Sequence, residues 1–215
     1  VPEGPGIHDN ASGVAATLEV ARQAAKANKA ESKVRFALWG AEEIGLLGSH
    51  HYVDTLTAAE REDIILYTNL DMVAPLDHQN TLGVLTADWS IGAESLLGAQ
   101  LDRDGHAHQP EGSNGRSDYA PFVDAGIAST GLLSIRDDNY HTPQDDIDNV
   151  SITTLTHTAR AVANLIGTTD GRNSQLQQWR YKDKVLDVAN APGEKILPGE
   201  IAKGLELLAA GTDID

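Results

Sequence analysis

The spacing of apolar positions changes period several times along the chain. Val14, Leu18, Ala21 and Ala25 recur at helical spacing and predict a helix from Ala11 to Asn28. Asp9, Asn10 and Ser12 can cap its start. The run KVRFALW, Lys33 to Trp39, alternates and predicts a strand. Leu46 to Leu56 reads as a helix. Ile64 to Leu70 (IILYTNL) is nearly continuous apolar sequence, the pattern of a strand buried on both faces. Further on, the pattern predicts a short strand over Thr81 to Thr86, a helix over Ser90 to Arg103 and a short helix over Ser117 to Asp124. A strand over Ser129 to Ile135 and a helix over Ser151 to Ile166, capped by Ser151, complete the series. Strands alternating with helices imply an α/β sheet covered on both faces. The pattern then changes: GRNSQLQQWRYKDK is polar and APGEKILPGE is rich in Pro and Gly. The expected organisation is one domain over residues 1–171 and a C-terminal extension with helical segments over 172–215.

Charge narrows the partners. Of the 215 residues, 32 are Asp or Glu and 16 are Lys or Arg, a formal net charge of −16. Such a surface repels phosphate backbones and anionic membranes, so neither a nucleic-acid nor a membrane partner is expected. It attracts cations and amine-bearing ligands. There is no cysteine, which excludes disulfides and thiolate metal sites.

Four positions carry candidate chemistry: Asp9 in HDNASG, the pair Glu42–Glu43 in WGAEEIG, Asp71 in NLDMV, and His141 in NYHTPQDD. Each follows a predicted strand or opens a helix, and ligands of open α/β sheets bind outside the carboxyl ends of the strands. Each also has a plain reading. Asp9 could cap a helix, the glutamates could sit favourably at a helix start, and His141 could be an ordinary loop histidine. Asp71 is harder to dismiss, because a carboxylate ending so apolar a strand is costly to bury without a partner. Taken together, the carboxylates and imidazole form an O/N donor set suited to Zn²⁺. The glutamate doublet allows one carboxylate to ligate while its neighbour serves as a general base.

With these motifs in order, the chain resembles the co-catalytic zinc exopeptidases, which include the bacterial secreted leucine-type aminopeptidases. The matching stretches are GPGIHDNASGVA (4–15), FALWGAEEIGLLGS (36–49), NLDMV (69–73), GRSDYAPF (115–122) and YHTPQDD (140–146). The resemblance implies a three-layer α/β/α sandwich around a mostly parallel mixed sheet. It implies a zinc metallo-aminopeptidase acting on peptides with a free N-terminus, in a secreted or periplasmic location. By matching position, Asp9 resembles the aspartate bridging two zinc ions. Glu43 and His141 resemble the other ligands of one ion, Asp71 a ligand of the second, and Glu42 the general base. Tyr140 resembles a tyrosine placed against the developing oxyanion, and Arg116 lies in a segment that helps form the substrate pocket. A single-zinc glutaminyl cyclase, a carboxypeptidase of the same family and a non-catalytic relative stay open as alternatives.

The chain also departs from the family. The resemblance calls for a further zinc-ligand histidine, in a His-x-Asp-Ser motif on an interior strand ahead of the bridging aspartate. The expected picture is a fragment that lacks the N-terminal strands and this ligand. It would hold one tight and one weak zinc where the complete protein holds two. Its activity would be low, and its exposed sheet edge would favour self-association.

Overall fold

The computed structural model describes residues 4–26, 32–76, 80–86 and 92–169, so the expected extension over 172–215 lies outside the described residues. Six α-helices and four strands are formed among them: α1 Gly13–Ala24, α2 Leu47–Thr55, α3 Ala58–Asp63, β1 Tyr67–Asp71, β2 Leu82–Thr86, α4 Ala93–Arg103, β3 His108–Gly112, α5 Ala120–Asp124, β4 Ser129–Ser134 and α6 Ile152–Thr169. The strands form one sheet in the order β1-β4-β2-β3. β1 and β4 are parallel, as are β2 and β3, and β4 and β2 are antiparallel, so the sheet is mixed.

Side-chain alternation on the strands builds two cores. One face buries Leu82, Val84 and Leu132 with Ala16 and Val20 of α1, Leu97 and Leu101 of α4, and Ala161 and Leu165 of α6. The other packs Tyr67 with Phe122 and Val53, from α5 and α2, beside Ile127. These two helix layers and the sheet between them make the expected α/β/α sandwich. Leu97 is fully buried. Leu97→Ala is therefore expected to cost about 2–5 kcal/mol of stability. A urea unfolding series with an unchanged slope is the measurement, and a loss below ~1 kcal/mol would contradict this packing.

The predicted strand over Lys33–Trp39 is corrected: no strand forms there. The alternating Val34, Phe36 and Leu38 are 37%, 39% and 56% exposed. Period-2 sequence becomes a strand only when another strand takes its backbone N–H and C=O groups. Among the described strands, β1 ends the sheet on its side and pairs only with β4. The far end of the segment is held by packing, with the Trp39 indole N–H donating to the Tyr67 hydroxyl at 3.0 Å. Two elements escaped prediction, α3 and β3. The helix over Ser151–Ile166 forms as expected, and the Ser151 hydroxyl accepts the Thr154 N–H at 3.1 Å.

Candidate metal centre

Local chain geometry brings the candidate residues towards one edge of the sheet. On β1, side chains two apart share a face. Tyr67, Asn69 and Asp71 therefore point to the α5 side and form a ladder. The Tyr67 hydroxyl donates to Asn69 Oδ1 (2.9 Å), the Asn69 amide donates to Ser117 Oγ (2.9 Å), and Ser117 donates to Asp71 Oδ2 (2.6 Å). Asp71 thus leaves the end of the strand with one oxygen already held. Asp9 lies in an irregular helical turn, Ile7–Ser12, ahead of α1, with φ −107° and ψ 92°. Asn10, not Asp9, performs the cap: its Oδ1 accepts the N–H groups of Gly13 (2.9 Å) and Met72 (3.0 Å). Gly13 is required there, because a Cβ would meet Leu70 O at 2.3 Å. This close approach sets the Asp9 turn against the end of β1.

Glu42 and Glu43 lie in the turn between Trp39 and α2, and His141 in the loop after β4. Asp9, Glu43 and His141 each offer one ligand atom, and these atoms lie within 4.8 Å of one another. His141 Nε2 is 2.9 Å from Asp9 Oδ2 and 3.1 Å from Glu43 Oε2. That nitrogen is buried, yet neither approach has hydrogen-bond geometry. A buried imidazole nitrogen facing two carboxylates without a hydrogen bond is a donor set shaped for a cation.

Electrostatics points the same way. Burial, with the Asp71 and Glu43 carboxylates, pushes Asp9 up to about 7. Burial, with Asp71, Asp118, Glu43 and Asp9, pushes Glu42 up to about 8. Asp71 is raised, first by burial, although its bond from Ser117 opposes the shift. Burial and mutual repulsion disfavour the ionised form of carboxylates crowded in this way, and a positive charge among them relieves both. Asp71 lies outside the three-residue cluster but acts on Asp9 as its strongest charged neighbour.

Backbone conformation singles out the same loops. The non-glycine residues with left-handed φ among the described ones are Ala41, Leu46, Met72, Asn80 and His141. Ala41 precedes the glutamate pair, Met72 follows Asp71, and His141 is itself in the cluster. Such conformations cost about 1–3 kcal/mol each and gather where side chains must be aimed.

The remaining sequence candidates adjoin this centre. Tyr140 stacks on His141 with ring centroids 3.7 Å apart. The Arg116 guanidinium stands 6.0 Å from the Tyr140 ring centre. Burial raises Tyr140, Asp9 and Glu43 add to the shift, and Arg116 opposes it. Sequence reasoning passed over Asp118, whose Oδ1 accepts the Ser49 hydroxyl at 2.5 Å and whose charge bears on Glu42. It also gave no role to Ser117 or Asn69, although both stand inside matched motifs. His8 turns away from the cluster, with Nδ1 2.7 Å from Asp137 Oδ2.

Comparison with known proteins bears on this geometry. The profile of Peptidase family M28 matches residues 1–166. A probable lipoprotein aminopeptidase of Mycobacterium tuberculosis is 37% identical over 202 residues, covering 78% of this chain and 40% of that protein. This chain therefore spans well under half of that relative. The structure of a zinc aminopeptidase from Bacillus subtilis superimposes with a TM-score of 0.71 at 32% identity, covering 79% of this chain and 44% of that one. An Acidobacteriales glutaminyl cyclase shares the fold at 17% identity, with a TM-score of 0.60, 78% of this chain covered and 63% of that one. The profile match over most of the chain and the 37% identity agree with the order of the motifs, and the chain belongs to peptidase family M28.

Proposed function

We propose that this chain carries the catalytic centre of a zinc metallo-aminopeptidase that releases N-terminal amino acids from peptides. The observation that carries the reading is the convergence of Asp9, Glu43 and His141 donor atoms, with Glu42 beside them. Asp9, Glu43 and His141 would hold one zinc ion, and Asp9 with Asp71 a second, weaker one. Bound zinc would supply Lewis acidity and make a water acidic near neutral pH.

The chain's own residues do the rest. Among the described residues the Glu42 carboxylate has no hydrogen-bond or ion-pair partner. Its burial raises its basicity, which suits a group that takes a proton from the attacking water and returns it to the leaving amine. Asp71 and Asp118 place negative potential where a protonated peptide N-terminus would approach. Tyr140 would face the substrate carbonyl, a role supported by its stacking on His141, its 38% exposure and the Arg116 guanidinium beside its ring. We further assign the protein to the secreted or envelope compartment, in keeping with its lipoprotein relative. Among the described residues no helix is long and apolar enough to cross a membrane.

One assay tests the reading. Zinc-loaded protein is incubated with an unblocked leucyl peptide, its N-acetylated form, a C-terminally amidated form and a peptide beginning with glutamine. Release of free leucine from the unblocked and amidated peptides, and none from the acetylated one, is expected. Release that needs a free C-terminus would mean a carboxypeptidase. Pyroglutamate from the glutamine peptide, without leucine release, would mean a cyclase using the Asp9–Glu43–His141 set with a single ion.

A further inference from the structure

Asp9 and His141 belong to loops 132 positions apart in sequence, yet their donor atoms meet. A buried polar network between those loops accounts for the meeting. Asp145, four residues after His141, is fully buried. Its Oδ1 accepts the His8 N–H at 2.7 Å and its Oδ2 accepts the Asp9 N–H at 3.0 Å. Its main-chain carbonyl accepts the Ile7 N–H at 3.1 Å. A single residue therefore grips three consecutive amides of the turn that carries Asp9. An ionised carboxylate accepting two backbone N–H groups makes charge-assisted bonds, about twice as strong as neutral ones.

The His8 side chain grips in the opposite direction. It is 1% exposed, and Asp137 at 2.7 Å from Nδ1 is equally enclosed. Its Nε2 accepts the Ala74 N–H at 3.3 Å, which leaves the ring proton on Nδ1, facing Asp137. Ser134 Oγ stands 3.0 Å from the same Nε2 and donates to Met72 O at 2.6 Å. The Asn149 amide donates to Asp137 Oδ2 at 3.0 Å and to Asp145 Oδ1 at 3.4 Å, joining the two halves. Residues 72–74, which follow Asp71, are thereby tied to the Asp9 turn and to the loop bearing His141.

We propose that Asp145 and the His8–Asp137 pair are positioning residues that form a clamp across the segments bearing Asp9, Asp71 and His141, and that this clamp sets the zinc affinity of the centre. None of these side chains is among the proposed ligands: Asp145 holds the backbone of the Asp9 turn, and the His8 ring meets Asp137 and the Ala74 N–H. Without the clamp, Asp9 keeps its carboxylate but loses its fixed distance to His141 Nε2. Outer contacts of this kind are worth about 10–100-fold in metal affinity. The proposal rests on the reading of Asp9, Glu43 and His141 as ligands.

Calorimetric zinc titration and the visible spectrum of the Co²⁺-substituted protein test it together. In Asp145→Asn one of the two backbone amides faces an NH₂ group in place of an oxygen. Zinc affinity is expected to fall about 10–100-fold, with a changed cobalt spectrum. Val84→Ala, in the sheet core on the α1/α4/α6 face, serves as the control for destabilisation alone; it should leave affinity and spectrum unchanged. If Asp145→Asn does not fold, Asp137→Asn keeps the shape and one acceptor, and is expected to weaken zinc about 10-fold. Asn variants that bind zinc like the wild type, or a Val84→Ala control that weakens it equally, would overturn the clamp while leaving the ligand assignment standing. A wild-type protein that binds no zinc would overturn both.

Discussion

Glu42→Gln is expected to keep zinc and to lower kcat by about 10²–10⁴-fold, the usual weight of a general acid–base group. The amide preserves shape and polarity but does not accept a proton from water. Glu43→Gln is expected to fail differently: it removes one of the three clustered donors, so zinc affinity falls first and activity follows occupancy. The two variants alter adjacent residues in the same turn, so equal disruption of local folding cancels from the comparison. Kinetics of the zinc-loaded full-length protein, with metal content measured on the same samples, separates them. If Glu42→Gln turns over nearly as fast as the wild type, Glu42 is not the base. If instead it loses zinc while Glu43→Gln retains it, the two roles are exchanged. The position of Glu42 favours the stated order: it lies outside the three-donor cluster, whereas Glu43 Oε2 is 3.1 Å from His141 Nε2.

Where sequence and structure agree, a local signal coincides with the tertiary environment. The second half of IILYTNL, Tyr67 to Leu70, forms β1 together with Asp71, with Leu70 packed on one face and Tyr67 on the other, while Ile64 to Leu66 lead into the strand; Ser151 caps α6 as its residue type predicts. The disagreements have physical causes. KVRFALW has the alternation of a strand, but alternation specifies faces, and a ladder also needs a neighbour. β3 was hidden by Pro110 and Gly112, residues tolerated because this strand is at the edge of the sheet. α3 carried a legible signal that went unread: Thr57 and Glu60 form a capping box, with Thr57 N–H donating to Glu60 Oε2 at 2.8 Å. At the site, the meeting of Asp9, Glu43 and His141 follows the order of their motifs, while Asp71 stands outside that cluster and reaches it through its charge. The ladder through Ser117 and the grip of Asp145 were not legible, since a serine or aspartate in a loop gives no sign of a partner 46 or 137 positions away.

Zinc titration of the 215-residue chain is expected to give one tight site and a second that is weaker by at least ~100-fold. The reasoning starts from ligand number. Three donors are held within 4.8 Å of one another, the usual protein complement of a catalytic zinc site. Among the described residues, the proposed second position would draw on Asp71 and a share of Asp9, and the three-donor group does not include Asp71. His8 does not complete it, because its ring is held between Asp137 and Ala74. Loss of an outer-sphere partner alone costs about 10–100-fold, so a site short of a whole ligand should lie beyond that range. A first ion held by Asp9 would also disfavour a second one nearby, through repulsion between like charges. Calorimetry at fixed pH should resolve a stoichiometry of one at low free zinc, and His141→Ala should abolish that step. Because a lone ion stabilises only one side of a displacement, the singly loaded chain should hydrolyse leucyl peptides slowly. Two equally tight sites would show that another residue supplies the absent donor, and retention of the tight step in His141→Ala would remove His141 from the centre.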